Sequence, residues 1–212
     1  MSGSMYDEDY FLRGRETGKS LYENYRWMPE LTIPMAQAIV DHCGINKGAR
    51  VLDFGCARGY LVKALRGLGY TAYGYDISEW AINNADPDVY HHLTCRDGLA
   101  FEPGIRYEWI IAKDVFEHVQ SVGLTIRKLQ TYATKGIFAV VPLSLIDDGE
   151  YVVKEYEQDI THIHRLTLTS WVKKFLRTGW SVEAAFRVPG VKDNYAQYRR
   201  GNGFLTVRKI GV

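Results

Sequence analysis

The stretch VLDFGCARGYLVKAL, Val51 to Leu65, constrains the fold more than any other part of the chain. An apolar run ends in an acid, bends through Gly55 and Gly59, and resumes with Leu61, Leu65 and Leu68 at helical spacing. That pattern is a buried strand feeding directly into a helix, and it repeats downstream. YTAYGYD predicts a second strand, SEWAINNA a helix capped by Ser78, VYHHLTC a third strand and YEWIIAKD a fourth. TIRKLQTYA follows as a helix and KGIFAVVP as a strand stopped by Pro142. An irregular, charged stretch from Leu143 to Arg165 then leads to an amphipathic helix, LTSWVKKFLRTGW, and two closing strands, SVEAAFRV and GFLTVRK. Upstream, IPMAQAIVDHC reads as a helix with Pro34 at an early position. Alternating strands and helices predict an α/β domain with a mainly parallel sheet.

The 212 residues suit one such domain. No apolar run approaches the roughly 20 residues of a membrane span, and no signal-peptide pattern opens the chain. MSGSM has the look of a cloning remnant and is set aside. A net charge of +1 gives no overall field to attract nucleic acid. Cys43, Cys56 and Cys95 are odd in number and form no CxxC pair, which predicts reduced thiols and a cytoplasmic setting.

In open α/β sheets, ligands bind at the carboxyl ends of the strands, where strand order reverses. Gly55 and Gly59 fall at that bend, where a missing Cβ lets a ligand approach the backbone. Asp76 ends the next strand, placed to accept hydrogen bonds from both hydroxyls of a ribose. The dinucleotide fingerprint is not met, since Ala57 and Tyr60 occupy later glycine positions. Asp53 would also repel a pyrophosphate. A carboxylate there suits a ligand carrying an ammonium group, which points to S-adenosylmethionine (SAM).

The sequence resembles the class I SAM-dependent methyltransferases over roughly Lys47 to Trp180. VLDFGCARG is similar to their first motif, with Ala57 in place of the middle glycine; GYDIS, CRDG, AKDVFEHV and HIHRLTLTSWVKKFLRTGW resemble later motifs in the expected order. The resemblance implies a Rossmann-like mixed seven-stranded sheet, mostly parallel with an antiparallel last strand and helices on both faces. It implies cofactor contacts from Asp53, Gly55, Cys56, Ala57 and Gly59, with Asp76 on the ribose and Ile77 against the adenine. Asp97 and Gly98 would meet the adenine edge, and Lys113 and Asp114 would close the pocket. The Ala57 methyl would crowd the methionine moiety without abolishing binding.

Removing a proton from an acceptor hydroxyl takes a base, and Asp114, Glu117, His118, His162 and His164 are the candidates. The spacing Asp114, Glu117, His118 with a distant histidine also permits a divalent metal, as in small-RNA 2′-O-methyltransferases, although metal is not the favoured reading. His91 and His92 read as structural. The aromatic run SLYENYRWMPEL predicts an amphipathic helix capping the core; the alternative is a lid over the cofactor, with Arg26 or one of the tyrosines, Tyr22 or Tyr25, meeting the methionine carboxylate.

The sequence therefore predicts N-terminal capping or lid helices over residues 1–46. A methyltransferase domain follows over 47–212, with a substrate-side insertion at about 143–165. The expected acceptor is a small molecule or glycan, at a hydroxyl. KDNYAQYRRGNG could stack a base, yet a solvated loop is the favoured reading, so nucleic acid is not the expected partner. The alternatives are an RNA 2′-O-methyltransferase, a non-catalytic SAM-binding module, and an aminopropyltransferase or nicotinamide enzyme. Oligomeric state is not legible.

Overall fold

The computed structural model describes residues 3–97, 100 and 104–211. Two short N-terminal helices, α1 (Glu8–Leu12) and α2 (Gly14–Thr17), precede α3 (Pro29–Cys43). The alternating core follows as β1 (Arg50–Phe54), α4 (Tyr60–Gly67), β2 (Thr71–Asp76), α5 (Glu79–Asn83), β3 (Leu93–Cys95) and β4 (Tyr107–Lys113). It continues with α6 (Val122–Tyr132), β5 (Ala133–Pro142), α7 (Leu168–Phe175), β6 (Trp180–Ala185) and β7 (Asn202–Lys209). The seven strands form one sheet in the order β3-β2-β1-β4-β5-β7-β6, with β7 antiparallel to both of its neighbours. The predicted sheet is therefore the observed one.

Burial explains the strand choices. Val51 to Phe54 of β1 are all buried, and β5 is buried from Gly136 to Pro142, as expected for strands covered on both faces. One core packs α3 and α4 on the sheet through Ile39, Val62 and Leu65. The other packs α6 and α7 on the opposite face through Ile126, Trp171 and Phe175. Ser78 caps α5 as predicted, accepting from the Ala81 N–H at 2.9 Å.

Three local expectations need correction. The SLYENYRWMPEL segment is not a helix up to Met28; it runs as an extended strap whose Glu23 pairs with Arg13. Helix α3 instead begins at Pro29, which takes the first helical position, while Pro34 sits inside it. Proline at 34 has no N–H to donate to the Glu30 carbonyl, and Glu30 is exposed. His91 and His92 belong to a 3-10 turn (Tyr90–His92) ahead of a three-residue β3, not to the strand. The set-aside Gly3 and Met5 lie in a turn at Gly3–Met5; a Cβ on Gly3 would come within 2.3 Å of the Ile77 carbonyl oxygen.

Candidate functional site

Strand order reverses between β1 and β4, and the crevice above their carboxyl ends holds a cavity of about 390 Å³. Gly55, Ala57, Asp76, Ile77, Asp97 and Asp114 line it; Asp53, Cys56, Gly59 and Lys113 do not. Gly98 lies outside the described residues. The glycines also have a rationale independent of any ligand. Gly55 has φ +84° and its added Cβ would lie 2.3 Å from Val115 Cγ2, while a Cβ on Gly59 (φ +80°) would meet Leu93 and Val89. Backbone handedness and packing already disfavour side chains at both positions.

Ala57 also takes the left-handed conformation, at φ +47°. Such a residue costs about 1–2 kcal/mol relative to glycine, which is why a glycine is expected there. Its methyl packs in the aromatic cluster of Tyr10, Phe11 and Trp80, and its N–H donates to Asp76 Oδ2 at 2.7 Å. Ser78 N–H donates to the other Asp76 oxygen at 2.8 Å, so backbone groups aim this carboxylate into the cavity. Burial raises the Asp76 pKa against those hydrogen bonds. Burial and the nearby Asp76 push Asp53 up to about 7, with Lys113 opposing. Asp76 lines the cavity, and Asp53 is buried next to the lining residues Phe54 and Gly55; with both acids held up by burial, the residues present fit a nucleoside bearing an ammonium group.

Asp114 differs. Burial would raise it, but the ammonium groups of Lys113 and Lys192, at 2.5 and 2.6 Å, hold it well below the usual carboxylate range. Lys192 arrives from the β6–β7 connection at φ +57°, donates also to Asn202 Oδ1 at 2.9 Å, and lies over the Tyr156 ring. Its role was not readable from the basic, aromatic loop in which it occurs.

At the far end of the cavity stands His118. The strap from Asp159 to His164 docks beside it because the Ile163 and His164 N–H groups donate to the Glu117 carbonyl, at 2.9 and 3.2 Å. This brings the His162 and His118 rings to 4.7 Å. Burial lowers both histidines, His162 to about 4, and raises Glu117 well above its ordinary value with help from Asp114. Glu117 Oε2 is buried without a hydrogen-bond partner. His164 does not join them: its Nε2–H donates to the Val119 carbonyl at 2.8 Å and its ring stands edge-on to Trp171.

The N-terminal segment roofs this cavity with Tyr6, Tyr10, Phe11 and Tyr22. Of the residues offered for a lid, Tyr22 thus lines the cavity, while Arg26 and Tyr25 do not. Arg26 is exposed, and Tyr25 packs between Phe11 and Tyr60 while Arg58 donates to its carbonyl at 3.1 Å. The tyrosine-rich N-terminus was the available signal, but spacing alone does not say which rings turn inward.

Residues 27–185 match the family described as "Methyltransferase domain". A ubiquinone biosynthesis O-methyltransferase from Thiobacillus denitrificans is 32% identical over 94 residues, which cover 41% of this chain and 40% of that protein. Among solved structures, the plantazolicin methyltransferase BpumL in complex with S-adenosylhomocysteine (SAH) aligns with a TM-score of 0.66 at 16% identity over 86% of each chain. The [4+2]-cyclase SpnF aligns with a TM-score of 0.68 at 14% identity over 98% of this chain and 95% of that one. These structural likenesses concern the fold; the match to the O-methyltransferase spans about two fifths of that protein's length. Among the described residues no helix is long and apolar enough to cross a membrane.

Proposed function

This chain belongs to the methyltransferase-domain family and is a SAM-dependent methyltransferase, and from that premise we propose that it methylates a hydroxyl of a small-molecule or glycan-like acceptor. When bound, SAM supplies an electrophilic methyl group on a sulfonium. Asp76 accepts from the ribose hydroxyls, Ile77 packs on the adenine, and Asp53 faces the ammonium end. His118 takes the acceptor proton.

One observation carries this reading: His118 lines the cofactor cavity with its Nδ1 engaged by Thr161 Oγ1 at 2.8 Å, and burial keeps the ring neutral. A neutral imidazole held by one nitrogen presents the other as a base. SAH release with a panel of phenolic, sugar and polyol acceptors tests it. We expect turnover with at least one acceptor, and His118→Ala to lower kcat by about 10²–10⁴ with SAM affinity little changed. Background release with every acceptor would favour a binding module instead. Full activity in the variant would remove His118 as the base.

The orphaned Glu117 Oε2 supports a second reading. Ligand atoms of Glu117, His118 and His162 lie within 4.8 Å of one another, and two imidazoles with one carboxylate suit a divalent transition ion. Ligands about 2.1 Å from a tetrahedral ion sit about 3.4 Å apart, so the cluster would have to draw in. Zinc or manganese titration of chelator-treated protein distinguishes the two readings: stoichiometric binding that is lost in Glu117→Gln favours the metal, and none favours the free base.

A further inference from the structure

The roof of the cavity and the orientation of His118 are joined by a chain of hydrogen bonds. Tyr10, on α1, donates its hydroxyl to Asp159 Oδ2 at 2.9 Å, across 149 positions of sequence. Asp159 is 6% exposed, and its other oxygen receives the Thr161 hydroxyl at 2.5 Å and the Thr161 N–H at 2.9 Å. A carboxylate only accepts, so the Thr161 hydrogen is committed to Asp159. The Thr161 oxygen can then act toward His118 only as an acceptor, which requires the hydrogen to reside on His118 Nδ1 and leaves Nε2 with a bare lone pair.

His162 obeys the same logic, since its Nδ1 faces the Tyr156 carbonyl at 3.0 Å, which also only accepts. Its Nε2 lies 3.9 Å from Asp159 Oδ2, the oxygen that Tyr10 holds. The titratable groups facing His118 are Tyr6 from the N-terminal turn, Asp114 and Glu117 from its own segment, and Asp159 and His162 from the strap. Asp159 is tied both to the roof, through Tyr10, and, through Thr161, to the imidazole.

We propose that Asp159 and Tyr10 are positioning residues for His118. Through Thr161 they fix which imidazole nitrogen carries the proton, and the segment that covers the cofactor thereby also sets the base. The proposal rests on His118 acting as the base, and its tests separate from that reading. In Asp159→Asn, an amide can donate to the Thr161 oxygen, turning the hydroxyl toward His118 Nδ1 and reversing the tautomer. In Tyr10→Phe, Asp159 loses its roof contact and is free to turn toward His162.

The ¹⁵N spectrum of imidazole-labelled protein reads this without an acceptor. We expect the His118 signature of an Nδ1–H tautomer to become Nε2–H in Asp159→Asn. With an active acceptor, kcat should fall 100-fold or more while the SAM Kd stays within about threefold. Tyr10→Phe should lower kcat about five- to tenfold, again with little change in SAM Kd. Thr161→Ser should restore the wild-type signature, and Thr161→Val should lose it, which covers the case in which Asp159→Asn fails to fold.

An unchanged His118 tautomer in both Asp159→Asn and Thr161→Val would overturn the proposal even if His118→Ala is inactive. A reversed tautomer alongside an active His118→Ala would instead leave the relay standing and remove the base.

Discussion

Asp53→Asn isolates the buried carboxyl that most sharply separates a cofactor site from ordinary core. Asp53 is 4% exposed, and burial with the neighbouring Asp76 lifts it from an ordinary 3.8 to about 7. Between those values the folded chain binds the proton and the unfolded chain does not, so this group's stabilisation is full at acid pH and lost as pH rises through 7. Applied to that shift, linkage gives a loss of about 2.6 kcal/mol from pH 5 to pH 8, a large share of a typical folding free energy. Urea unfolding of wild type and variant at both pH values, compared as a difference, removes the contributions of other titrating groups. The same carboxyl should govern the cofactor. If its ionised form receives the SAM ammonium, affinity should rise about 16-fold from pH 5.5 to pH 7, a window below the α-amino pKa. In Asp53→Asn that rise should be largely gone. Equal stability differences at pH 5 and pH 8, or a SAM affinity with the same pH slope in both proteins, would refute the reasoning.

Two further outcomes test the geometry. Gly55→Ala places a methyl 2.3 Å from Val115 Cγ2 at φ +84°, and should destabilise the fold by about 2–4 kcal/mol. Adding Val115→Ala should recover the clash but not the backbone strain of about 1–2 kcal/mol, as read by thermal melts of the single and double variants. Lys192→Met removes one of the two cations on Asp114. Asp114 is depressed in the folded chain, so its stabilisation is present above the ordinary carboxylate range and lost on acidification; the acid-unfolding midpoint of the variant should move to higher pH.

The parts of the fold legible in sequence were those in which one local pattern dictates one structure. Val51 to Phe54, Ile110 to Ala112 and Ile137 to Val141 are runs that can be solvated on neither face, and each became a central strand. The end of a strand is equally local, so Asp53, Asp76 and Asp114 were found together with the turns that follow them. What escaped was decided across the chain. Tyr10 and Asp159 are 149 residues apart, and nothing in EQDITHIH indicates that an acid two positions before Thr161 will orient a histidine from another segment. His162 and His164 look interchangeable as letters. An extended strap would put residues two apart on the same side. Consecutive N–H groups of Ile163 and His164 instead donate to the one Glu117 carbonyl, so the strap departs from extended geometry there. His162 thus faces His118 while His164 faces Trp171. The SLYENYRWMPEL segment satisfied a helical pattern, but its rings found partners in α1 and α4 as an extended strap, and tertiary packing overrode periodicity.

Charge along the cavity explains why the two ends take different partners. Among the described residues, Asp76 is held by backbone N–H groups without an ion pair, and burial raises both it and Asp53. Asp76 is left without a cation in an ion pair, although Arg96 lines the same cavity and Lys113 acts on Asp53, so that end still gains from a cationic ligand group. Asp114, between the ends, already has two ammonium groups and offers little further attraction. Beyond it, burial favours the uncharged forms of Glu117, His118 and His162. A neutral acceptor can enter there without losing strong hydration to fixed charges. Transfer from a sulfonium to a neutral oxygen spreads and then removes positive charge from the sulfur, so a dry, weakly charged reaction end costs the transition state less than the separated reactants. On the proposed assignment, the acids toward the cofactor lie away from the methyl and the neutral imidazole lies beside it. Among the described residues the cation nearest that end, Lys192, is already paired with Asp114, so a carboxylate or phosphate group at the reacting atom is the least suitable chemistry for the proposed reaction.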